Sequence, residues 1–202
     1  CRKALLELHR RGLIPLPAAE ESCFERSCAK PPADRLIDVP ELQCTLKQLG
    51  EVEIVAVSSR YSKTSQIWNG LMERFHYLGK GPLCGAQIRY LVRSSRHGWV
   101  GALAFSAAMW RLKVRDKYIG WTEAARRANL DRVVGNSRLL ILPSVHVPNL
   151  ASHVLSLCMA RLMEDWTVRY GYGPVLGETF VNPTRFSGTC YLAANWLEGG
   201  VT

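Results

Sequence analysis

The stretch from Asn136 to Val181, NSRLLILPSVHVPNLASHVLSLCMARLMEDWTVRYGYGPVLGETFV, constrains the fold of this chain more than any other. It reads as a buried strand over Arg138 to Val147, a tight Pro148-Asn149 turn, a helix from Asn149 to about Tyr170, and a second buried strand over Val175 to Val181. Leu150, Val154, Leu157, Cys158, Leu162 and Trp166 fall on one apolar stripe, as a helix that covers a core requires. A helix of about 20 residues reaches roughly 30 Å, enough to cross a domain. Pro143 and Ser144 interrupt the first strand, which predicts a bulge or a splay there. The order sets a helix N-terminus beside the end of a strand. The first N–H groups of such a helix are unpaired and point outward, so an anion docks there readily. Asn149 is expected to cap that helix, and Ser152 to lend its hydroxyl to a bound phosphate.

Upstream, Arg2 to Arg11 reads as a short helix stopped by Gly12, followed by an extended LIPLP connector and a loop rich in Pro, Cys, Ser and charge over Ala18 to Arg35. This gives a small N-terminal segment over 1–48 and an α/β domain over 49–202. Leu49 to Val57 reads as a strand. Ser62 or Thr64 is placed to cap a helix carrying Ile67, Leu71, Phe75 and Leu78. Ala86 to Val92 and Trp99 to Phe105 read as a hairpin around Arg93-Ser94-Ser95-Arg96-His97-Gly98. Ala107 to Lys113 and Thr122 to Asn129 read as helical, and Thr189 to Trp196 as a last strand. Hairpin strands precede the strand–helix alternation. The fold class expected is therefore α/β (α+β), with a mixed, largely antiparallel sheet.

The chain has 202 residues, 48% of them hydrophobic, enough for one sizeable core. Its 26 Lys and Arg against 17 Asp and Glu give a formal charge of +9, which favours a polyanionic partner such as nucleic acid. Arg93, Arg96, His97, Arg111, Lys113, Arg115, Lys117, Arg126, Arg127 and Arg132 fall within 40 positions, interleaved with Trp99, Trp110 and Trp121. On one face they make a phosphate-tracking patch, and otherwise an ordinary solvated surface. No apolar run is long enough for a membrane helix, and the N-terminus lacks the apolar region of a secretory signal, so a cytoplasmic protein is expected. The seven cysteines are irregularly spaced, and Cys23, Cys28 and Cys44 lack a fourth ligand. No metal is expected and no cofactor is assigned. A chain that opens on Cys1 and stops after Gly199-Gly200-Val201-Thr202 reads as a fragment.

No catalytic residue is assigned; Glu178, Asp116 and His76 are the candidates. Glu178 lies within an apolar strand, where a carboxylate needs a partner or a function, and Arg138 is its expected partner. Asp116 follows Arg115, so the pair offers a base and a phosphate clamp, or simply a loop ion pair. His76 closes an amphipathic helix, as an acid–base residue or as a partner of the helix dipole. Asn136, Ser137 and Arg138 can hydrogen-bond a phosphate or form a polar turn. The anion-binding set expected is Arg115, Asn136, Arg138, Asn149, Ser152, Arg93, Arg96 and Arg126. Cys190-Tyr191 and Asn195-Trp196 read as core residues, and His146 and His153 share no face that could hold a metal.

Seven motifs occur in order: HYLG from His76, GALAFS from Gly101, RDKYIGW from Arg115, NSRLLILP from Asn136, NLASHVLS from Asn149, ETFV from Glu178 and GTCYLAANW from Gly188. Together they resemble the family of DruA, a component of Druantia anti-phage systems, a family that also includes domains attached to or encoded beside bacterial transposases. The resemblance covers most of the chain. It implies a DNA-associated protein with defence-system or transposase partners, and a Gly-Arg-rich continuation beyond Thr202. The element order is also similar to that of GNAT acyltransferases. That likeness implies an acyl-CoA arm at His146 to Ser152, a junction that has no glycine to let backbone approach a pyrophosphate. An acyl-CoA-dependent N-acyltransferase and an inactive enzyme fold serving as an assembly module are the alternative functions.

Overall fold

Apolar runs over 87–107 fold into the hairpin that centres the molecule, β3 (Gln87–Ser94) against β4 (Gly98–Ala107). The computed structural model describes residues 11–12 and 39–201, and the chain divides into two compact units, Cys1–Pro32 and Ala33–Thr202. Arg11 and Gly12 lie in a turn; the rest of the helix expected from Arg2, the connector, the Ala18–Arg35 loop and the Cys23–Cys28 pair lie outside the described residues.

Within the second unit, β2 (Val52–Ala56) pairs antiparallel with β3, and β5 (Val133–Ile141) antiparallel with β4. β7 (Leu176–Thr179) then joins parallel to β5, giving a five-stranded sheet in the order β2-β3-β4-β5-β7. Parallel neighbours need a long crossover, supplied here by α5 (Leu150–Tyr170). This is the mixed, mostly antiparallel α/β sheet expected. A shorter parallel pair, β1 (Leu42–Gln43) with β6 (Val145–His146), and the capped turn of α1 (Leu46–Leu49) draw residues 42–49 into the same unit.

Helices cover both faces. Trp68 of α2 (Lys63–Phe75) donates its indole N–H to Leu103 O at 2.9 Å, and Arg89 Nη1 reaches Asn69 of the same helix. Tyr90, one residue along β3, donates to Asp165 of α5 at 2.7 Å. Neighbours on a strand point to opposite faces, so α2 and α5 lie on opposite sides of the sheet. Leu150, Val154, Leu155, Cys158, Leu162 and Trp166 bury the inner stripe of α5. Gly101 is required where β4 meets β5, because a Cβ there would stand 2.5 Å from Leu140 O.

Several sequence expectations change. Ala107 to Lys113 is not a helix: Ala107 N–H bonds Ala86 O and extends the β4 ladder, and α3 begins at Lys113 and runs to Ile119. Thr189 to Trp196 is not a strand: Gly188, at φ 71°, opens a single helical turn, α6 (Thr189–Leu192). A short apolar run has no periodicity that separates the two outcomes. The strand expected to reach Val147 stops at Ile141, and Pro143 lies in the turn that sends β6 to pair with β1. Ser62, not Thr64, caps α2, which ends before Leu78. Asn149 precedes α5 in the left-handed region, at φ 62°, and its side chain caps nothing.

Candidate functional site

β5 keeps its parallel partner only as far as Asn136, which is level with Thr179, while its own strand continues to Ile141. Where the two strands part, four of the sequence motifs converge. Asn136 is 6% exposed and fully committed. Its Nδ2 donates to Ala104 O and Arg138 O, both at 3.1 Å, and its Oδ1 accepts the Tyr191 hydroxyl at 2.6 Å. Thr179 donates to its backbone carbonyl, and the hydroxyls of Ser106 and Ser137 bond one another alongside. The single turn of α6 delivers Tyr191 here, and burial pushes its phenol up to about 12. Burial also raises the Cys190 thiol.

Arg138 lies on the same strand, on the face that carries α2. Its Nε donates to Gly79 O at 3.1 Å and its Nη1 to Ser137 O at 2.7 Å. Glu178 was the expected partner, but it pairs elsewhere, and among the described residues no acid neutralises Arg138. Burial holds the Arg138 pKa below its ordinary value. His76 terminates α2 beside it, and burial, then the charge of Arg138, lowers the imidazole to about 4. The His76 Nδ1 accepts the Leu78 N–H at 3.2 Å, which leaves the proton of the neutral ring on Nε2.

Glu178 is held by Arg115 of α3, whose Nη1 lies 3.2 Å and 3.3 Å from its two carboxylate oxygens. The side chains are 3% and 10% exposed, a buried pair. Arg115 also donates to Met109 O and to Asp116, whose other donor is the Trp121 indole at 3.0 Å. Burial raises the Glu178 carboxyl and Arg115 opposes the shift; for Asp116, the Trp121 and Arg115 hydrogen bonds outweigh burial and hold it low. α4 (Glu123–Asn129) is tied down in the same way: Arg126 is 3% exposed by side chain, bonds both Glu123 oxygens at 2.6 Å, and donates to Trp110 O. The guanidiniums of Arg115 and Arg126, expected to meet phosphate, are thus spent on internal partners. Around them the α3–α4 arm exposes Met109, Trp110, Tyr118 and Ile119, and a cleft of about 460 Å³ lies between Arg111, Lys113, Asp116, Glu123 and Arg126.

The remaining candidates collect at the far end of the hairpin. Arg93 is exposed at the end of β3, and Arg96 donates from the turn to Gln48 O. A groove of about 710 Å³ runs nearby between Thr45, Gln48, His146 and Pro148, at the approach to α5. Ser152 donates its hydroxyl to Asn149 O. Ten residues of β4 separate this end from the arm, a span on the order of 30 Å. The basic cluster of the sequence is therefore divided between two ends. Tyr191 is the participant that the sequence reading set aside as core, and its motif, GTCYLAANW, was the only signal pointing to it.

A helix-covered mixed sheet, a half-buried polar cluster where two parallel strands part, and a basic arm define an α/β domain of cationic surface. A family model described as Druantia protein DruA matches residues 30–202, and the chain belongs to that family. Membership places it among anti-phage defence proteins. No curated protein and no solved structure matches the chain. Among the described residues, no helix is long and apolar enough to cross a membrane, and no group of three or more His, Cys, Asp or Glu could hold a metal.

Proposed function

We propose that the chain serves anti-phage defence by associating with DNA, and that the α3–α4 arm makes the contact. The observation that carries this reading is the arm's surface. Between Arg111 and Arg132 stand seven Arg and Lys against three acids. Lys113, Lys117 and Arg132 are exposed, with no acidic partner among the described residues. Trp110 and Tyr118, 57% and 66% exposed, lie among these cations. Cations that track a backbone beside aromatics that stack on bases are what a nucleic-acid strand requires. The buried Arg115–Glu178 pair serves this reading by fixing the arm to the sheet, and the Arg126–Glu123 pair by bracing α4 internally. Defence-system or transposase proteins are the partners proposed alongside DNA.

The test is fluorescence anisotropy with labelled DNA and RNA at low salt. The wild-type chain is expected to bind DNA, and Lys113→Glu with Lys117→Glu to weaken binding across all sequences. Absence of binding by the wild type, or full binding by the double variant, overturns the proposal. Thermal stabilisation by acetyl-CoA and not by DNA would replace it with the acyltransferase reading.

A further inference from the structure

Arg138 presents a charge that the fold leaves unanswered. Two of its nitrogens are bound to carbonyls, and the remaining one, Nη2, has no acceptor among the described residues. It points toward Gly81, where an added Cβ would stand 3.0 Å from it. The loop Gly79-Lys80-Gly81 therefore lies against the guanidinium and offers that nitrogen no acceptor. His76, from the same turn, is a neutral ring with its Nε2 proton free of any hydrogen bond among the described residues. Lys80 adds a cation at the rim, paired only to Glu73 across 3.4 Å with both side chains more than half exposed. Tyr77 closes the turn, stacked on His76 and capped by Arg185 at 5.3 Å. A half-buried cation that lacks a counter-ion among the described residues is a poor structural device, since burial of an unpaired charge is costly. A guanidinium nitrogen left without an acceptor is a good receptor for an oxyanion.

We propose that Arg138 Nη2, His76 Nε2 and the Gly79-Lys80-Gly81 loop form a binding site for a phosphoryl group, supplied by the terminal phosphate of a DNA strand. The proposal rests on the DNA reading only for the source of that phosphate. Charge favours a strand end over an internal phosphodiester, because above its second pKa of about 6 a terminal monoester carries the greater charge.

The test reads the His76 titration by NMR, with the resonance assigned through His76→Gln. In the free protein the imidazole titrates near 4. A nearby anion favours the charged ring, so binding raises this value. Orthophosphate at tens of millimolar, against chloride at matched ionic strength, is expected to raise it by about one unit or more. A 5′-phosphorylated oligonucleotide is expected to do so at lower concentration than the same strand with a 5′-hydroxyl. Arg138→Gln is expected to abolish the response, and Arg138→Lys to retain part of it. The wild-type titration alone decides the matter should Arg138→Gln not fold. An unmoved His76, or an equal response in a folded Arg138→Gln, overturns the site even where DNA binds the arm. A response to orthophosphate without DNA binding keeps the site, assigns it to free phosphate compounds, and removes the DNA source.

Discussion

At the scale of single residues, the polar cluster on β5 has little slack. Tyr191→Phe deletes the donor to Asn136 Oδ1 and leaves a buried amide oxygen unsatisfied. That situation costs about 1–3 kcal/mol. Urea denaturation should show the loss, and a Tyr191→Phe chain as stable as wild type would mean that water reaches the amide. His76 supplies a pH dependence of definite sign. Its folded pKa, about 4, lies below the 6.5 of an ordinary imidazole, so the folded state prefers the neutral ring. Its contribution is fully present above about pH 6.5 and is lost as the pH falls toward 4. His76→Gln is expected to flatten the decline in urea midpoint between pH 7 and pH 5. An unchanged decline would assign it to carboxylates instead. Saturating phosphate, by raising the His76 pKa, should flatten it in the wild type as well.

At the scale of elements, the Arg115–Glu178 pair joins α3 to the short edge strand β7, and its removal should release the arm rather than the sheet. Taking one partner from a buried pair costs about 3–5 kcal/mol, whereas replacing both with apolar groups is often neutral. Arg115→Met is therefore expected to destabilise strongly and to speed amide exchange across α3 and α4, with Arg115→Met/Glu178→Met recovering much of the stability. A double variant as unstable as the single one would show that the Met109 and Asp116 contacts matter more. The pair also shows what a sequence conceals. Glu178 was legible as an acid in need of a partner, but the linear order suggested Arg138 and gave no sign of Arg115. Register decided between them, because Glu178 lies opposite Gly135, three residues before Arg138. α5 was legible because 21 residues carry an apolar stripe, and the hairpin because two apolar runs flank a basic turn. α6 was not, since its four residues hold no period, and the left-handed Asn149 reads in sequence as an ordinary cap.

At the scale of the molecule, the sequence offered one run of cations and the fold divides it. Arg93 and Arg96 stand at the hairpin turn, and Arg111 to Arg132 at the other end of β4, because an antiparallel strand carries the chain away from its turn. The ten residues of β4 extend on the order of 30 Å. A duplex of about 8 base pairs, at 3.4 Å per step, is about as long as that separation, so one seated on the arm concentrates its phosphates there. On such a duplex, Lys113→Glu/Lys117→Glu is expected to weaken binding, while Arg93→Glu/Arg96→Glu leaves it near wild type. Salt titration gives a second measure on the same samples. Each phosphate contact contributes about −0.9 to the slope of log K against log salt, so loss of both lysine contacts should make that slope shallower by about 2. A duplex that responds to the hairpin pair and ignores the arm pair would move the interface to the groove beside Gln48 and Pro148. Equal sensitivity at both ends would show that charge attracts DNA to this protein without a defined face.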